Sequence, residues 1–482
     1  MSDQYAITEW PDTVEINNKL QDLIKMPMYQ IRRDKMADYL RTLDSKCKKS
    51  KAIHEEAVDF IPGGAQHNIA FNYPFPIAIE RAEGPYMWDV DGNRYNDFAQ
   101  AGGPVVLGHN YPMINEKVIE FLKTCSPGTG MFHEYELKLA KLINHHMPSV
   151  EMFRMLGSGT EAVMGAIRLA RAYTGKAKII KFGGGYHGWG DQMAYSLHIP
   201  QSKLMKAAGI PEEVFTHIQE VYPNDIDELR ETMSKNEAQG GTAAFILEPL
   251  GPESATRPID IDYVREARKL CDQYGALLIF DEVVTGFRIG LGGVQGYFDI
   301  YPDVTVFGKC LTGGYPAAGG VGGKREIMSC FGTTHTEEDK PKVFVGGTLA
   351  ANPMSCVAGY YAIKEMEATN ALQRAGKAAD RLAAGLKHIM EKYNLPFIVY
   401  NLGSICSLQT SAVQQTDINN PKQRGEAQAR KKIMEEIGAA FTAEGIISIA
   451  GCKMYTNAMQ TDDVIDEALE AFDRVFSTIE QV

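Results

Sequence analysis

Three apolar runs of this sequence are each followed directly by residues that could do chemistry. The runs cover residues 245–247, 277–280 and 304–307, and they lead into Glu248, into Asp281 and Glu282, and into Gly308-Lys309. In an open α/β sheet, ligands bind beyond the carboxyl ends of the strands. Acids and an amine gathered there can transfer protons, and a partly neutral lysine can attack an aldehyde. Each acid can equally be a helix cap or a surface charge, so its position alone decides nothing.

A second candidate is the segment Leu-Gly-Ser-Gly-Thr-Glu-Ala at 156–162, which opens a predicted helix. Free N–H groups and the positive end of the helix dipole favour an anion at such a terminus, phosphate above all. Ser158, Gly159 and Thr160 are therefore candidate phosphate-binding residues. The simpler alternative is an ordinary Ser/Thr N-cap.

A G-x-G-x-x-G pattern at 183–188 follows the strand-like run 178–182. We reject a dinucleotide site, because no long amphipathic helix follows and no acid stands at 203–211. Tyr186 and His187 remain as flat rings that could stack on an aromatic cofactor, or could simply be packed aromatics.

Other chemistries lack their patterns. Gly157-Ser158-Gly159 is not G-x-S-x-G, and His133-Glu134 has no histidine three residues further on. The eight cysteines are scattered without a C-x-x-C pair, so we expect no metal site and no disulfide framework. The net charge of −12 argues against a nucleic-acid partner.

Apolar runs alternate with amphipathic helix patterns from about residue 134 onwards. Continuous apolar strands between such helices favour an α/β fold with a mostly parallel sheet covered on both faces. We predict a helical N-terminal arm (1–58), a large α/β domain (101–355) and a smaller α+β domain from both chain ends (59–100 and 356–482). Asp91-Gly92-Asn93 predicts a hairpin turn, and the last helix is expected to start after Thr461.

The sequence contains no run of about 18 apolar residues, and its first residues are polar and acidic. We therefore expect no membrane segment and no membrane partner, and a cytoplasmic location.

In their order, the segments resemble the class III aminotransferase family of fold-type I pyridoxal-5'-phosphate (PLP) enzymes. The resemblance runs from about residue 60 to about residue 480 and is closest to the branch that contains glutamate-1-semialdehyde 2,1-aminomutase. It rests on Gly-Ser-Gly-Thr-Glu-Ala (157–162), Tyr-His-Gly (186–188), Glu-Pro (248–249), Asp-Glu-Val-Val-Thr-Gly-Phe-Arg (281–288), Gly-Lys (308–309) and Gly-Gly-Thr (346–348).

The resemblance implies PLP as cofactor and a role for each residue. Lys309 would form the Schiff base, and Asp281 would pair with the pyridine nitrogen, whose proton a buried carboxylate favours. Val283 would pack under the ring and Tyr186 over it, with His187 and Glu248 in the same site. Ser158, Gly159 and Thr160 would hold the phosphate, and Thr348 would reach the phosphate of the neighbouring subunit in a homodimer.

Three departures from that branch lie on the substrate side. Residues 65–70 lack the arginine that binds the substrate carboxylate, Gly102 replaces a tryptophan, and Glu253 replaces an asparagine. We therefore expect an aminotransferase that moves an amino group from an amine, a β-amino acid or a basic amino acid to a keto acid. Glu253 and His67 are candidate contacts of the donor, and the alternative is that both only line the entrance.

Two alternatives stay open. The first is a PLP-dependent intramolecular aminomutase of the glutamate-1-semialdehyde type, or an amino-acid racemase, since both share the chemistry of Lys309. The second is a non-catalytic binding module, which the presence of both Asp281 and Lys309 argues against.

Overall fold

The N-terminal residues form helices, as the spacing of their apolar side chains predicts. Helix α1 (Thr13–Leu23), strand β1 (Tyr29–Ile31), helix α2 (Arg33–Lys46) and helix α3 (Lys48–Ala57) follow one another. Leu20, Leu23, Ile24 and Met36 are at most 4 % exposed, so this segment packs on further structure instead of standing free in solvent.

The computed structural model describes residues 4–202, 207–332 and 342–482. They belong to two compact units, Met1–Tyr111 with Asn370–Val482, and Pro112–Thr369. In the first unit, strands β2 (Ile79–Glu83), β3 (Tyr86–Asp89) and β4 (Arg94–Asp97) come next. Strands β3 and β4 pair antiparallel with Tyr86 opposite Asn96, which confirms the hairpin predicted at Asp91-Gly92-Asn93.

The second unit holds the alternating strands and helices. In chain order they are α4 (Pro112–Leu122), α5 (Glu134–His146), β5 (Met152–Leu156), α6 (Gly159–Thr174), β6 (Lys178–Phe182), β7 (Ile218–Val221), α7 (Ile226–Glu237), β8 (Thr242–Leu247), α8 (Pro252–Ala255), α9 (Ile261–Tyr274), β9 (Leu277–Glu282), α10 (Gly293–Phe298), β10 (Val304–Phe307), β11 (Gly319–Gly323), α11 (Arg325–Met328) and α12 (Pro353–Ala368).

These strands form one seven-stranded sheet in the order β5-β11-β10-β9-β8-β6-β7. Five adjacent strands run parallel to one another, namely β10, β9, β8, β6 and β7. Strand β11 runs antiparallel to both β10 and β5. Residues of β8, β9 and β10 are buried along their whole length, which is typical of a parallel sheet covered on both faces. The predicted mostly parallel α/β sheet is confirmed.

Strand β11 carries no apolar pattern, since four of its five residues are glycine. A Cβ atom on Gly319 would lie 2.1 Å from the backbone oxygen of Ser158, the residue that precedes α6. Only glycine allows this strand to pass so close to the start of α6. The close approach places the N-terminus of α6 against the sheet.

The chain then returns to the first unit with α13 (Ala371–Lys392), β12 (Ile398–Leu402), β13 (Ile405–Gln409), α14 (Pro421–Ala443), β14 (Ile446–Ile447), β15 (Lys453–Tyr455), α15 (Asp462–Phe476) and β16 (Ile479–Gln481). Helix α15 starts after Thr461, as predicted. Strand β14 extends the β2–β4 sheet by pairing with β4, and β16 pairs with β1. Phe441, Phe472 and Phe476 are fully buried in the core between these elements.

None of the described helices combines the length and the apolar character that crossing a bilayer requires.

Candidate active site

Three parallel strands bring two acids and a lysine to one edge of the sheet. Strand β9 lies between β8 and β10 and runs in the same direction as both. Asp281 is the second-last residue of β9, Glu248 directly follows β8, and Lys309 follows β10 after Gly308. Because parallel strands end at the same edge, all three side chains belong to one region of this unit.

The carboxylate of Asp281 is buried and hydrogen-bonded. It is 4 % exposed, and its Oδ1 accepts a hydrogen bond from the backbone N–H of Val283 at 3.0 Å. Its Oδ2 lies 2.8 Å from Nδ1 of His187, which is also buried. Since an ionised carboxylate can only accept, Nδ1 of His187 carries the hydrogen. Nε2 of His187 is buried without a hydrogen-bond partner in the described part of the chain. The histidine therefore helps to fix the orientation of the Asp281 carboxylate.

Lys309 occupies an unusual backbone conformation. Its φ is 45°, in the left-handed region, and it begins the short 3-10 turn Lys309–Thr312. A non-glycine residue in this region costs on the order of 1–3 kcal/mol, and such strain clusters at functional sites. The side chain is half-buried. Lys309 thus lies in a strained turn directly after β10, and its side chain is partly shielded from solvent.

Val283 lies where the start of α6 and the end of β10 approach each other. A Cβ atom on Gly159 would lie 3.0 Å from both methyl groups of Val283, and one on Gly308 would lie 2.8 Å from its Cγ1. Glycine at both positions lets the start of α6 and the end of β10 approach the same valine. The first turn of α6, the end of β9 and Lys309 are consequently neighbours.

Helix α6 begins with a Ser N-cap. Oγ of Ser158 accepts a hydrogen bond from the backbone N–H of Glu161 at 3.2 Å, and Oγ1 of Thr160 accepts one from Trp189 at 3.4 Å. The capping alternative considered from the sequence is therefore realised, and it leaves the dipole of a 16-residue helix directed at this point. The N-cap and an anion site are compatible, because a cap satisfies only part of the four free N–H groups.

Glu248 ties two loops together. Its Oε1 accepts hydrogen bonds from the backbone N–H groups of Tyr186 at 3.0 Å and of Glu253 at 2.6 Å. Oγ of Ser254 donates to Oε2 at 3.0 Å. The pKa of Glu248 lies above its ordinary value because the carboxyl group is buried, and the nearby His187 offsets part of this rise. The carboxylate thus holds Tyr186 and Glu253 beside each other.

The loop that carries Glu253 is strained. Glu253, Ser254 and Ala255 have φ values of 45°, 44° and 74°, three left-handed residues in succession. Oε1 of Glu253 lies beside Nδ1 of His198, a contact that is an ion pair only when the imidazole is protonated. The sequence offered no signal for His198 as this partner.

Two further predicted residues are Thr348 and His67. Thr348 is exposed in the second unit, and the adjacent Gly347 would bring a Cβ atom within 3.3 Å of Oε2 of Glu161. His67 is exposed in the first unit, where its Nδ1 accepts a hydrogen bond from Ile69 at 3.1 Å. The donor-binding role of His67 stays a prediction.

Sequence reasoning also missed a buried lysine. Lys181 on β6 is 0 % exposed and donates hydrogen bonds to the backbone oxygens of Met193 at 3.2 Å and Tyr195 at 2.9 Å. Burial lowers its pKa to about 8, against the opposite effect of Glu220 and Glu248. Its signal was a lysine between Ile180 and Phe182, in the inner part of the strand. Lys181 fixes the loop after β6.

The family follows from a match that covers most of the chain. Residues 69–476 match the family model described as "Aminotransferase class-III". The chain belongs to the class III aminotransferases. Pyridoxal 5'-phosphate is therefore the cofactor of this aminotransferase. The predicted enzyme class and cofactor are confirmed.

Solved structures of related proteins agree with the family. The aminotransferase is similar to an omega-transaminase from Sphaerobacter thermophilus, with 28 % identity, a TM-score of 0.79, and coverage of 89 % of this chain and 97 % of that chain. It is similar to a beta-phenylalanine aminotransferase from Variovorax paradoxus with 26 % identity, a TM-score of 0.76, and coverage of 91 % and 96 %. A glutamate-1-semialdehyde-aminomutase from Pseudomonas aeruginosa PAO1 shares the fold at 21 % identity, with a TM-score of 0.78 and coverage of 96 % and 98 %.

The described residues of the aminotransferase fit PLP. A buried carboxylate, Asp281, suits a protonated ring nitrogen, and the capped start of α6 suits a phosphate. The half-buried Lys309 supplies an amine from the neighbouring strand end. Gly159 and Gly308 leave room around Val283 that a side chain at either position would fill.

Proposed function

We propose that this aminotransferase takes an amino group from an amine, a β-amino acid or a basic amino acid and passes it to a keto acid, with Lys309 as the residue that holds the cofactor. The observation that carries the proposal is the meeting of Asp281, Lys309 and the start of α6 around Val283. PLP chemistry needs an amine, a buried carboxylate and a helix end that binds an anion. Lys309, Asp281 and the start of α6 are the corresponding parts of this unit.

The cofactor supplies a ring that withdraws electrons from the substrate carbon that bears the amine. Asp281 keeps a proton on the ring nitrogen, and His187 keeps the carboxylate in position through its 2.8 Å contact. Val283 and Tyr186 would cover the two faces of the ring. Nζ of Lys309, once freed by the incoming amine, would act as the base that takes up the proton of the donor carbon and gives it back.

Ser158, Gly159 and Thr160 would hold the phosphate through N–H groups and hydroxyls at the start of α6. Glu248 serves this arrangement indirectly, because it holds the backbone of Tyr186 at 3.0 Å. It is a positioning residue.

The donor side is set by Glu253. Glu253 and Tyr186 are bonded to the same oxygen of Glu248, so Glu253 lies beside the proposed ring-covering residue. Its carboxylate is 17 % exposed and paired with His198. A partly buried negative charge attracts a donor with a second cationic group and repels a second carboxylate. Two similar proteins, an omega-transaminase and a beta-phenylalanine aminotransferase, have names that agree with an amine or a β-amino acid as donor.

The test is a reaction with donor alone, followed by the absorbance change of the cofactor. With an amine, a β-amino acid or a basic amino acid, each site should convert once and then stop until a keto acid is added. An aminomutase or a racemase would continue to turn over without any keto acid, and that result would refute the proposal.

The same panel examines Glu253. Glu253→Gln should lower kcat/KM about 10-fold or more for donors with a second cationic group, and leave neutral amines nearly unchanged, because a charge pair of about 1.4 kcal/mol is lost. Glu213→Gln, an exposed glutamate of the same unit, is the matched control. Equal losses for all donors would assign Glu253 to supporting the loop instead.

The active unit is a homodimer in which Thr348 reaches the partner's phosphate site. Thr348 is exposed, and the neighbouring Phe344 and Leu349 are 83 % and 62 % exposed. Large exposed apolar side chains in one segment mark an interaction surface. The location is cytoplasmic, in keeping with eight cysteines of which none forms a disulfide in the described part of the chain.

Light scattering of the purified enzyme should give twice the chain mass. Leu349→Asp should weaken the dimer more than about tenfold, equivalent to about 1.4 kcal/mol, because a charge would enter the apolar contact. Tyr301→Asp alters another exposed side chain of the same unit and should leave the mass unchanged. A monomeric wild-type enzyme with full activity would contradict the assembly.

A further inference from the structure

Two adjacent histidines and a glutamate converge at the ends of two helices in the second unit. His145 and His146 are the last residues of α5, and Glu367 is the second-last residue of α12. Each can offer one ligand atom, and the three atoms lie within 4.8 Å of one another. His145 and Glu367 are exposed, whereas His146 is half-buried. The sequence separation of more than two hundred residues explains why no spacing pattern revealed this group.

The backbone that carries these side chains is well anchored. Helices α5 and α12 are joined by a hydrogen bond between the hydroxyls of Tyr135 and Tyr361 at 3.1 Å. Nearby, a Cβ atom on Gly359 would lie 3.4 Å from Cδ2 of Leu139, so the glycine lets the helices pack closely. The three side chains are therefore presented by a fixed pair of helices, and only their rotamers need to adjust.

An unsatisfied histidine nitrogen in this group points to a ligand. Nε2 of His146 is buried and has no hydrogen-bond partner in the described residues. The rings of His145 and His146 have centroids 4.9 Å apart at an angle of 66°, so they are not stacked and their nitrogens can face one point. Bonds of about 2.1 Å to a tetrahedral cation place ligand atoms about 3.4 Å apart. Rotation of the two exposed side chains closes the difference.

We propose that His145, His146 and Glu367 bind a zinc-type divalent cation that links the end of α5 to the end of α12. Two imidazoles and a carboxylate suit Zn²⁺, Co²⁺ or Cu²⁺, whereas Mg²⁺ and Ca²⁺ prefer oxygen ligands. Water completes the coordination, because two of the three ligands face solvent.

The consequence of binding is mechanical. Helix α12 also packs against the turn that carries Lys309, since a Cβ atom on Gly359 would lie 2.6 Å from the backbone oxygen of Leu311. A cation at the far end of α12 ties this helix to α5 and stabilises the folded unit in proportion to its occupancy. The site does not depend on the donor proposed above.

The test is titration calorimetry of the PLP-loaded enzyme with Zn²⁺ after removal of trace metals. We expect binding by the wild-type enzyme, a Zn²⁺-dependent rise in the unfolding midpoint, and no such rise with Mg²⁺ at the same concentration. Glu367→Gln and His146→Ala should each weaken Zn²⁺ binding at least about tenfold, since even outer-shell changes cost 10- to 100-fold.

His217→Gln, an exposed histidine of the same unit, is the matched control and should bind as the wild type does. Glu367 is exposed, so its variant should keep the fold, as checked by circular dichroism and cofactor absorbance. Unchanged Zn²⁺ affinity in both variants would overturn the proposal. So would anomalous diffraction that locates the metal elsewhere, for example at the partly exposed Cys125.

Discussion

Replacing Lys309 with alanine should reduce the rate of transamination by at least about 10²- to 10⁴-fold, the contribution of a positioned proton-transfer base. The enzyme would lose both the amine that holds the cofactor and the group that moves the proton. The φ of 45° is strained for lysine and for alanine alike. The substitution should therefore remove function without changing the backbone strain at this position. Single-turnover rates with a good donor, followed by cofactor absorbance, measure the loss.

Borohydride reduction of the wild-type enzyme adds a direct readout. The reduced cofactor adduct should be found by peptide mapping on Lys309 and should be absent from Lys309→Ala. Lys269→Ala, which removes an exposed lysine paired with Glu266, should retain both activity and label. A label on Lys181, the buried lysine whose pKa is lowered to about 8, would show that the assignment of Lys309 is wrong.

Asp281→Asn should lower kcat by about 10²- to 10⁴-fold, because removing one partner of a buried charge pair costs about 3–5 kcal/mol. Asparagine keeps the size of the side chain and can still accept the hydrogen bond that Val283 donates at 3.0 Å. The loss therefore reports the charge and not the shape. Rates of both half-reactions should fall together, since each needs the protonated ring nitrogen.

Asp299→Asn provides the matched control. Asp299 is exposed and has a φ of 53°, a conformation that asparagine tolerates, so activity should stay within about twofold. A cofactor analogue methylated at the ring nitrogen carries the charge permanently and should restore part of the activity of Asp281→Asn. If Asp281→Asn keeps wild-type rates with PLP itself, the proposed role of this carboxylate is wrong.

The strongly patterned elements could be predicted from the sequence. The apolar runs became β6, β8, β9 and β10, and the residues that follow them lie at the carboxyl ends of parallel strands. Helix α15 starts after Thr461 because acidic residues favour a first helical turn. In each case the signal is local, since periodicity and capping depend on residues a few positions apart.

Elements without a local pattern were missed. Strand β11 is mostly glycine and shows no alternation, yet it lies between β5 and β10, because only a backbone without side chains can approach Ser158 so closely. Strand β14 has two residues and exists because β4 offers a free edge more than three hundred residues earlier. Such pairings depend on neighbours that the chain acquires only when folded.

By itself the sequence determined the strands β6, β8, β9 and β10, the residue types at their ends and the family. Tertiary structure alone decided that Nδ1 of His187 holds Asp281, that Glu253 pairs with His198, and that His145, His146 and Glu367 converge. The physical reason is that strand and helix preferences act over a few residues. Contacts between side chains far apart in the chain form only after packing has fixed the backbones that carry them.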